Sequence, residues 1–239
     1  MLFGKRVYAS NIHEDGFVKV KTLEGDVGYI YASQLREPEL NSQKDIRISA
    51  PSAPIYKKPS KSSGILLRIC FNTELSSMGY RRFGAYVHLG NGVYGWLHRN
   101  DYIPIHGKED KNIPITTVLN KAKEFIGTPY LWGGITPYGW DCSGFIQAIL
   151  KQFEIAFPRD TKDQIKKGRK IIYGNHRIGD FVFFTRHIAM FIDEDKIIHS
   201  SLHYGGVSIS FLGKSGGDYE QTLFRDIKSI KRVLLNSHR

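Results

Sequence analysis

The sequence predicts an α+β protein in which small all-β barrels precede a domain of helices and strands. Three observations predict it. Short apolar and aromatic runs with a period near two fill residues 1–105. A strand–turn–strand plan occurs there twice, as expected of two divergent copies of one unit. Beyond residue 106, helical spacing is followed by strand spacing within one domain. The length of 239 residues suggests one or two domains, or three if some are small, and 41% hydrophobic with 13% aromatic residues excludes a disordered tail protein.

The two copies are Phe17 to Leu35 and Ala85 to Tyr102. Each reads strand, Gly turn, Gly-aromatic-apolar strand, polar end, with Glu24-Gly25 and Asn91-Gly92 as hairpin turns. The expected domains are a short first barrel over 1–40, a second over 46–105, and an α+β domain over 106–239. In the last, Thr117 to Ile126 has helical spacing, with Thr116 or Thr117 as cap and Gly127 as stop. Cys142 to Gln152 predicts a second helix behind Asp141, and the Thr161-x-x-Gln164 spacing predicts a capping box that opens a third. Strands follow at Phe181–Phe184, His187–Ile192, Lys196–Ser200 and Val207–Phe211.

No run of about 18 apolar residues is present, so no membrane-spanning helix is expected. The first residues carry no apolar run of signal-peptide length, so the expected compartment is the cytoplasm, with secretion or wall association as the alternative. Cys70 and Cys142 are the only cysteines, too few for a disulfide framework or an all-cysteine zinc site. A net charge of +11 points to an anionic partner: nucleic acid, acidic lipid or an anionic cell-wall polymer. Nucleic acid is disfavoured, because no patterned basic helix or binding motif accompanies the charge.

Asp141-Cys142-Ser143-Gly144 carries the strongest chemical signal. An Asp141 cap would put Cys142 in the first helical turn, where free N–H groups and the helix dipole favour thiolate. On residue type alone a buried, inert Cys is the commoner reading. The surroundings favour chemistry. Tyr130, Trp132, Tyr138 and Trp140, with Gly133, Gly134 and Gly139, suggest a groove with close backbone approach.

A nucleophilic Cys needs a base, and strand parity selects one among nine His. If Asp193-Glu194-Asp195 is a three-residue hairpin loop, Ala189 faces His199, and His187 lies diagonal to His199 on the same face, about 7–8 Å apart along the backbones. The two imidazoles could then hydrogen-bond. A half-exposed hairpin with two surface His is the alternative, and metal binding lacks an evident third ligand. Cys70 reads as barrel core. His13, His88, His98, His106, His176, His203 and His238 read as surface or structural, and Arg159 as a local structural contact.

The runs GTPYLWGGITPYGWDCSGF, FPRDTKDQ, GDFVFF and HIAMFIDEDKIIHSS resemble, in order and spacing, the successive motifs of the NlpC/p60 cysteine peptidases, over about residues 116–215. The preceding barrels resemble bacterial SH3-like domains, and the whole arrangement resembles γ-D-glutamyl-L-diamino acid dipeptidyl-peptidases. The resemblance implies a papain-like domain with Cys142 as nucleophile, His187 as base and His199 as orienting residue. It implies that Tyr130 helps form the oxyanion site and that Asp141 and Ser143 bind the substrate's free amine; the groove reading adds Trp132 and Trp140 as substrate contacts. An acidic residue of the first barrel is expected to complete the amine pocket. The run that would carry it reads Asp26-Val27-Gly28-Tyr29 here, a departure from the family's Tyr-Glu-Gly-Trp-like run, with Glu24 and Asp26 as candidates. The implied substrate is a murein peptide with free N-terminal L-Ala, cut at the γ-D-glutamyl–diamino acid bond during cell-wall recycling without a cofactor. The alternatives are an endopeptidase or amidase acting on intact wall, and a non-catalytic wall-binding protein.

Overall fold

The computed structural model describes residues 3–12, 15–23, 25, 27–36, 43–107, 113–214 and 216–233. The chain divides into two compact units, Met1–Ile105 and His106–Arg239.

The first unit is all β. Strands β1 (Val7–Ile12), β2 (Phe17–Thr22) and β3 (Val27–Tyr31) form a three-stranded antiparallel sheet. Alternation along β2 buries Val18 and Val20 and exposes Lys19 and Lys21, the pattern of a strand with one dry face. Glu24 and Asp26 lie outside the described residues. Strands β4 (Ile46–Ile48), β5 (Ser52–Tyr56), β6 (Ile65–Cys70), β7 (Glu74–Tyr80), β8 (Gly84–His88), β9 (Tyr94–His98) and β10 (Tyr102–Pro104) form a seven-stranded sheet in the order β10-β4-β7-β8-β9-β5-β6. They pack round one aliphatic core that includes Ile46, Ile48, Ile55, Leu75, Val87 and Leu97. The repeated plan is visible as two hairpins, β2–β3 and β8–β9. In the second, Asn91 and Gly92 both have positive φ, +51° and +69°, as an Asn-Gly hairpin turn requires.

The second unit begins with α1 (Ile115–Lys123), the short pair β11 (Ile135–Thr136) and β12 (Gly139–Trp140), α2 (Cys142–Gln152) and α3 (Thr161–Gln164). Strands β13 (Arg169–Ile171), β14 (Phe181–Phe184), β15 (His187–Phe191), β16 (Lys196–Ser201) and β17 (Gly206–Phe211) follow, then α4 (Asp218–Arg225) and β18 (Ser229–Arg232). The six longer strands make one antiparallel sheet, β13-β18-β14-β15-β16-β17. Helix α2 packs against β15 and β16. Leu223, Tyr219 and Phe224 of α4 join Ile171, Val182, Ala189, Phe191, Ile197 and Ile230 in a core on the sheet.

Three local expectations are corrected. Helix α1 starts at Ile115 behind Pro114, whose fixed φ suits a helix entrance, so neither Thr116 nor Thr117 is the cap. It ends at Lys123, and Phe125 and Ile126 continue in tighter turns before Gly127 at φ +86°. Thr161 is the first residue of α3 and makes no capping box. Gln164 is fully buried and instead donates to the carbonyls of Ser143 (3.0 Å) and Pro158 (2.8 Å), tying α3 to the start of α2.

Candidate active site

The expected helix after Asp141 forms over Cys142–Gln152. The Asp141 Oδ1 caps it by accepting from Gly144 N–H at 2.6 Å. Gly144 is needed for close approach: a Cβ there would stand 2.3 Å from the Gly134 carbonyl oxygen, and a Cβ on Gly134 would stand 2.3 Å from that of Gly139. The glycines flanking Cys142 therefore seat the first turn of α2 on the preceding loop.

The β15–β16 hairpin takes the register expected from its loop, with Met190 opposite Ile198 and Phe191 opposite Ile197. His187 Nε2 and His199 Nδ1 lie 2.8 Å apart. Paired positions end at Met190–Ile198, although β16 continues to Ser201. Ile192 N–H donates to Lys196 O, so the even-numbered residues of β15 direct their backbone groups toward β16. Where that pairing stops, the freed groups meet Cys142. Cys142 Sγ lies 3.9 Å from Arg186 O, and the Ile188 backbone hydrogen-bonds to it. The thiol thus occupies the opening between two strands, flanked by the neighbours of His187.

Burial dominates the electrostatics here. It raises the Cys142 thiol above its ordinary value, assisted by the Asp141 charge, while the Ile188 and Ser143 backbones and the Thr161 hydroxyl pull it back. It lowers His187 to about 4 and His199 well below the usual imidazole range, the latter also by repulsion from His187 and His203. The free site therefore rests as neutral thiol and neutral imidazole. The dipole argument for a standing thiolate is outweighed by desolvation.

A cavity of about 390 Å³ opens on Cys142, lined by Tyr130, Trp132, Asp141, Ser143, Arg159 and Thr161 among others. Arg159 grips Asp141 with both terminal nitrogens, through Nη1 to Oδ1 (3.0 Å) and Nη2 to Oδ2, and Nη1 also donates to Ser143 Oγ at 2.8 Å. Arg159 is a structural contact, as expected, and it also lines the cavity. Tyr130 faces the same space; burial and the nearby Cys142 and Asp141 raise its phenol, so it stays protonated and able to donate. Trp132 is 82% exposed at the rim.

Trp140 is a correction. It has no exposed surface and stacks edge-on against Phe125 and Phe145, while its carbonyl accepts from Leu131 N–H and Ser200 Oγ. An aromatic residue two positions before Cys142 reads as groove wall in sequence, but it is core. Ser210, whose Oγ lies 2.7 Å from His199 Nε2, was invisible in the sequence as one polar residue in an alternating strand. Among the described residues, no group of three or more His, Cys, Asp or Glu could hold a metal ion.

A model of the NlpC/P60 family matches residues 127–226. The gamma-D-glutamyl-L-lysine dipeptidyl-peptidases of Bacillus cereus (strain ATCC 10987 / NRS 248) and Bacillus subtilis (strain 168) are 30% and 28% identical, covering 81% and 85% of this chain. The chain spans 62% and 69% of their respective lengths. A probable endopeptidase of Haemophilus influenzae is 32% identical over 123 residues, 47% of this chain and 76% of that protein. The crystal structure of an NlpC/P60 family protein from Bacillus cereus ATCC 10987 matches with a TM-score of 0.82 at 26% identity, over 98% of this chain and 81% of that one. These similarities assign the chain: it belongs to the NlpC/P60 family.

Proposed function

We propose that the chain hydrolyses the γ-D-glutamyl–diamino acid bond of murein peptides that bear a free N-terminal L-Ala, in the recycling of wall peptides in the cytoplasm. The observation that carries this reading is that Cys142, whose thiol meets the Arg186 and Ile188 backbones on either side of the His199-bonded His187, shares one cavity with the Asp141–Arg159–Ser143 cluster. In the proposed reaction, the Cys142 proton passes to His187 as Sγ attacks the γ-carbonyl carbon. The developing oxyanion meets the N–H groups that open α2 and the Tyr130 hydroxyl. The C–N bond then breaks, the leaving amine takes the proton from His187, and water hydrolyses the thioester by the same base.

The cavity wall supports an acidic substrate with a cationic end. Arg159, Lys162 and Arg186 outnumber Asp141 and Asp160 there, which suits the α-carboxylate of γ-D-Glu, while Asp141 is the carboxylate available to an L-Ala ammonium. The names of the two Bacillus relatives support the same bond class. The first unit is proposed to be two SH3-like barrels, supported by the repeated hairpins, and the net charge of +11 favours an anionic wall polymer as a further partner.

Incubation with free L-Ala-γ-D-Glu-diamino acid tripeptide and, separately, with intact sacculi tests the proposal by mass spectrometry. Release of L-Ala-γ-D-Glu from the tripeptide is expected, lost in Cys142→Ser and kept in Cys70→Ser. Products from sacculi alone would overturn it in favour of an endopeptidase of intact wall.

A further inference from the structure

His199 has no exposed surface, so both ring nitrogens must find partners inside the protein. Nδ1 lies 2.8 Å from His187 Nε2, and Nε2 lies 2.7 Å from Ser210 Oγ. Ser210 is 3% exposed. Strands β16 and β17 pair His199 with Ser208 and Ile197 with Ser210, so Ser210 is the diagonal neighbour of His199 on one sheet face. The directly opposite Ser208 has a buried hydroxyl that makes no hydrogen bond to His199. The partner is Ser210.

A neutral imidazole carries one proton, which leaves two self-consistent arrangements for this chain of groups. In the first, His187 Nε2–H donates to His199 Nδ1, and His199 Nε2–H donates to Ser210 Oγ. His187 Nδ1 is then a lone pair able to take the thiol proton. In the second, the Ser210 hydroxyl donates to His199 Nε2, and His199 Nδ1–H donates to His187 Nε2. His187 Nδ1 then carries the proton and cannot act as base. Once the thiol proton has moved, both nitrogens of His187 are donors, and only the first arrangement offers His187 Nε2–H an acceptor.

We propose that Ser210 is a positioning residue of the peptidase reaction, whose Oγ accepts from His199 Nε2–H and thereby holds His199 as acceptor and His187 as base. The inference rests on the roles proposed above for Cys142 and His187. Ser210 touches neither substrate nor nucleophile; it acts through His199 on the proton inventory of the base.

The test uses the full chain carrying Cys70→Ser, so that Cys142 is its single thiol. With histidine labelled in 15N, the ring shifts of His199 should show the proton on Nε2. The isosteric variants Ser210→Thr and Ser210→Val differ in the hydroxyl and share their shape. Ser210→Thr should stay within about threefold of the parent in kcat, while Ser210→Val should lose at least about tenfold with KM little changed. Alkylation of Cys142 by iodoacetamide at neutral pH should slow in parallel, and Ser208→Ala should change none of these. A His199 proton on Nδ1, or a Val variant that matches the Thr variant, would overturn the role of Ser210. The ring shifts decide even if the Val variant fails to fold. Hydroxyl-dependent alkylation and an Nε2 proton without turnover of murein peptides would support Ser210 and count against the proposed substrate instead.

Discussion

Thr185 donates both its backbone N–H and its hydroxyl to the two carboxylate oxygens of Asp226, each at 2.7 Å. Thr185 and Arg186 form the whole loop between Phe184 and His187, which pair directly across β14 and β15. Arg186 holds φ +62°, a left-handed conformation that costs a residue with a Cβ about 1–2 kcal/mol. The carboxylate of Asp226, itself bridged by Lys228 at 3.0 Å, therefore fixes a tight turn immediately before His187.

Asp226→Ala should free this turn. The two hydrogen bonds to a partly exposed carboxylate contribute about 1–2 kcal/mol together, and urea unfolding should show a loss of that size. Because the turn sets the position of His187, kcat should fall about tenfold while KM changes little. Asp226→Asn keeps one acceptor and should lie between the two. Full activity in Asp226→Ala would show that the β14–β15 ladder alone positions the base.

Acid should destabilise the fold through His187. Burial lowers this imidazole from 6.5 to about 4. Between those values the unfolded chain binds a proton that the folded chain refuses. Unfolding free energy is therefore full above pH 6.5 and falls as pH drops toward about 4, by up to about 3 kcal/mol for this one group. His199, also lowered by burial, adds in the same direction. Urea unfolding between pH 7.5 and 4 should be less acid-sensitive in His187→Gln than in the parent. The same shift places the acid limb of kcat/KM near pH 4, and a limb at 6.5 would mean that His187 titrates as an exposed imidazole.

The legible parts of the site were those set by local rules. The Asp141 cap and the apolar spacing of Phe145, Ile146 and Ile149 define α2 without tertiary information. A three-residue loop fixes the parity that brings His187 and His199 together. What was hidden depends on contacts distant in sequence. Ser210 acquires meaning only through β16–β17 pairing, and Asp226 only through the turn it holds, 41 residues away. Strands β13 and β18 are three and four residues long and rich in Arg and Lys, so they carry almost no period-two signal; pairing and the Asp180–Arg232 ion pair hold them instead. The fate of the Cys142 proton was also hidden, because burial, unlike a helix dipole, is not a local property.

Arg159 should be a stability determinant as well as a cavity residue. Asp141 is 8% exposed, so removing its guanidinium partner strands a carboxylate away from water. Arg159→Ala is expected to cost about 3 kcal/mol in urea unfolding. Arg159→Lys keeps the charge but not the two-pronged grip, and should recover part of that loss while kcat/KM stays depressed. A cost below about 1 kcal/mol for the Ala variant would mean that the Gly144 N–H and the Ser143 hydroxyl satisfy Asp141 on their own.

The amine end of the substrate gives the sharpest test of exopeptidase character. An L-Ala ammonium brought to Asp141 meets a carboxylate whose Oδ1 already accepts from Gly144 N–H, the Ser143 hydroxyl and Arg159, and whose Oδ2 accepts from Arg159. Lone-pair capacity remains on Oδ2, so one strong charge-assisted hydrogen bond to the ammonium is available. N-acetylation removes the positive charge and adds a methyl group and a carbonyl, which a site shaped for an ammonium cannot satisfy. The acetylated tripeptide should therefore be cut at least about tenfold more slowly than the free-amine tripeptide in kcat/KM, corresponding to roughly 1.4 kcal/mol of transition-state binding. Asp141→Asn keeps an acceptor for the helix cap while discharging the carboxylate, and should shrink that ratio by slowing the free-amine peptide more than the acetylated one. Equal rates on the two peptides in the parent enzyme would mean that no amine pocket operates. The cavity beside Cys142 would then admit chain on both sides of the scissile bond, as an endopeptidase requires.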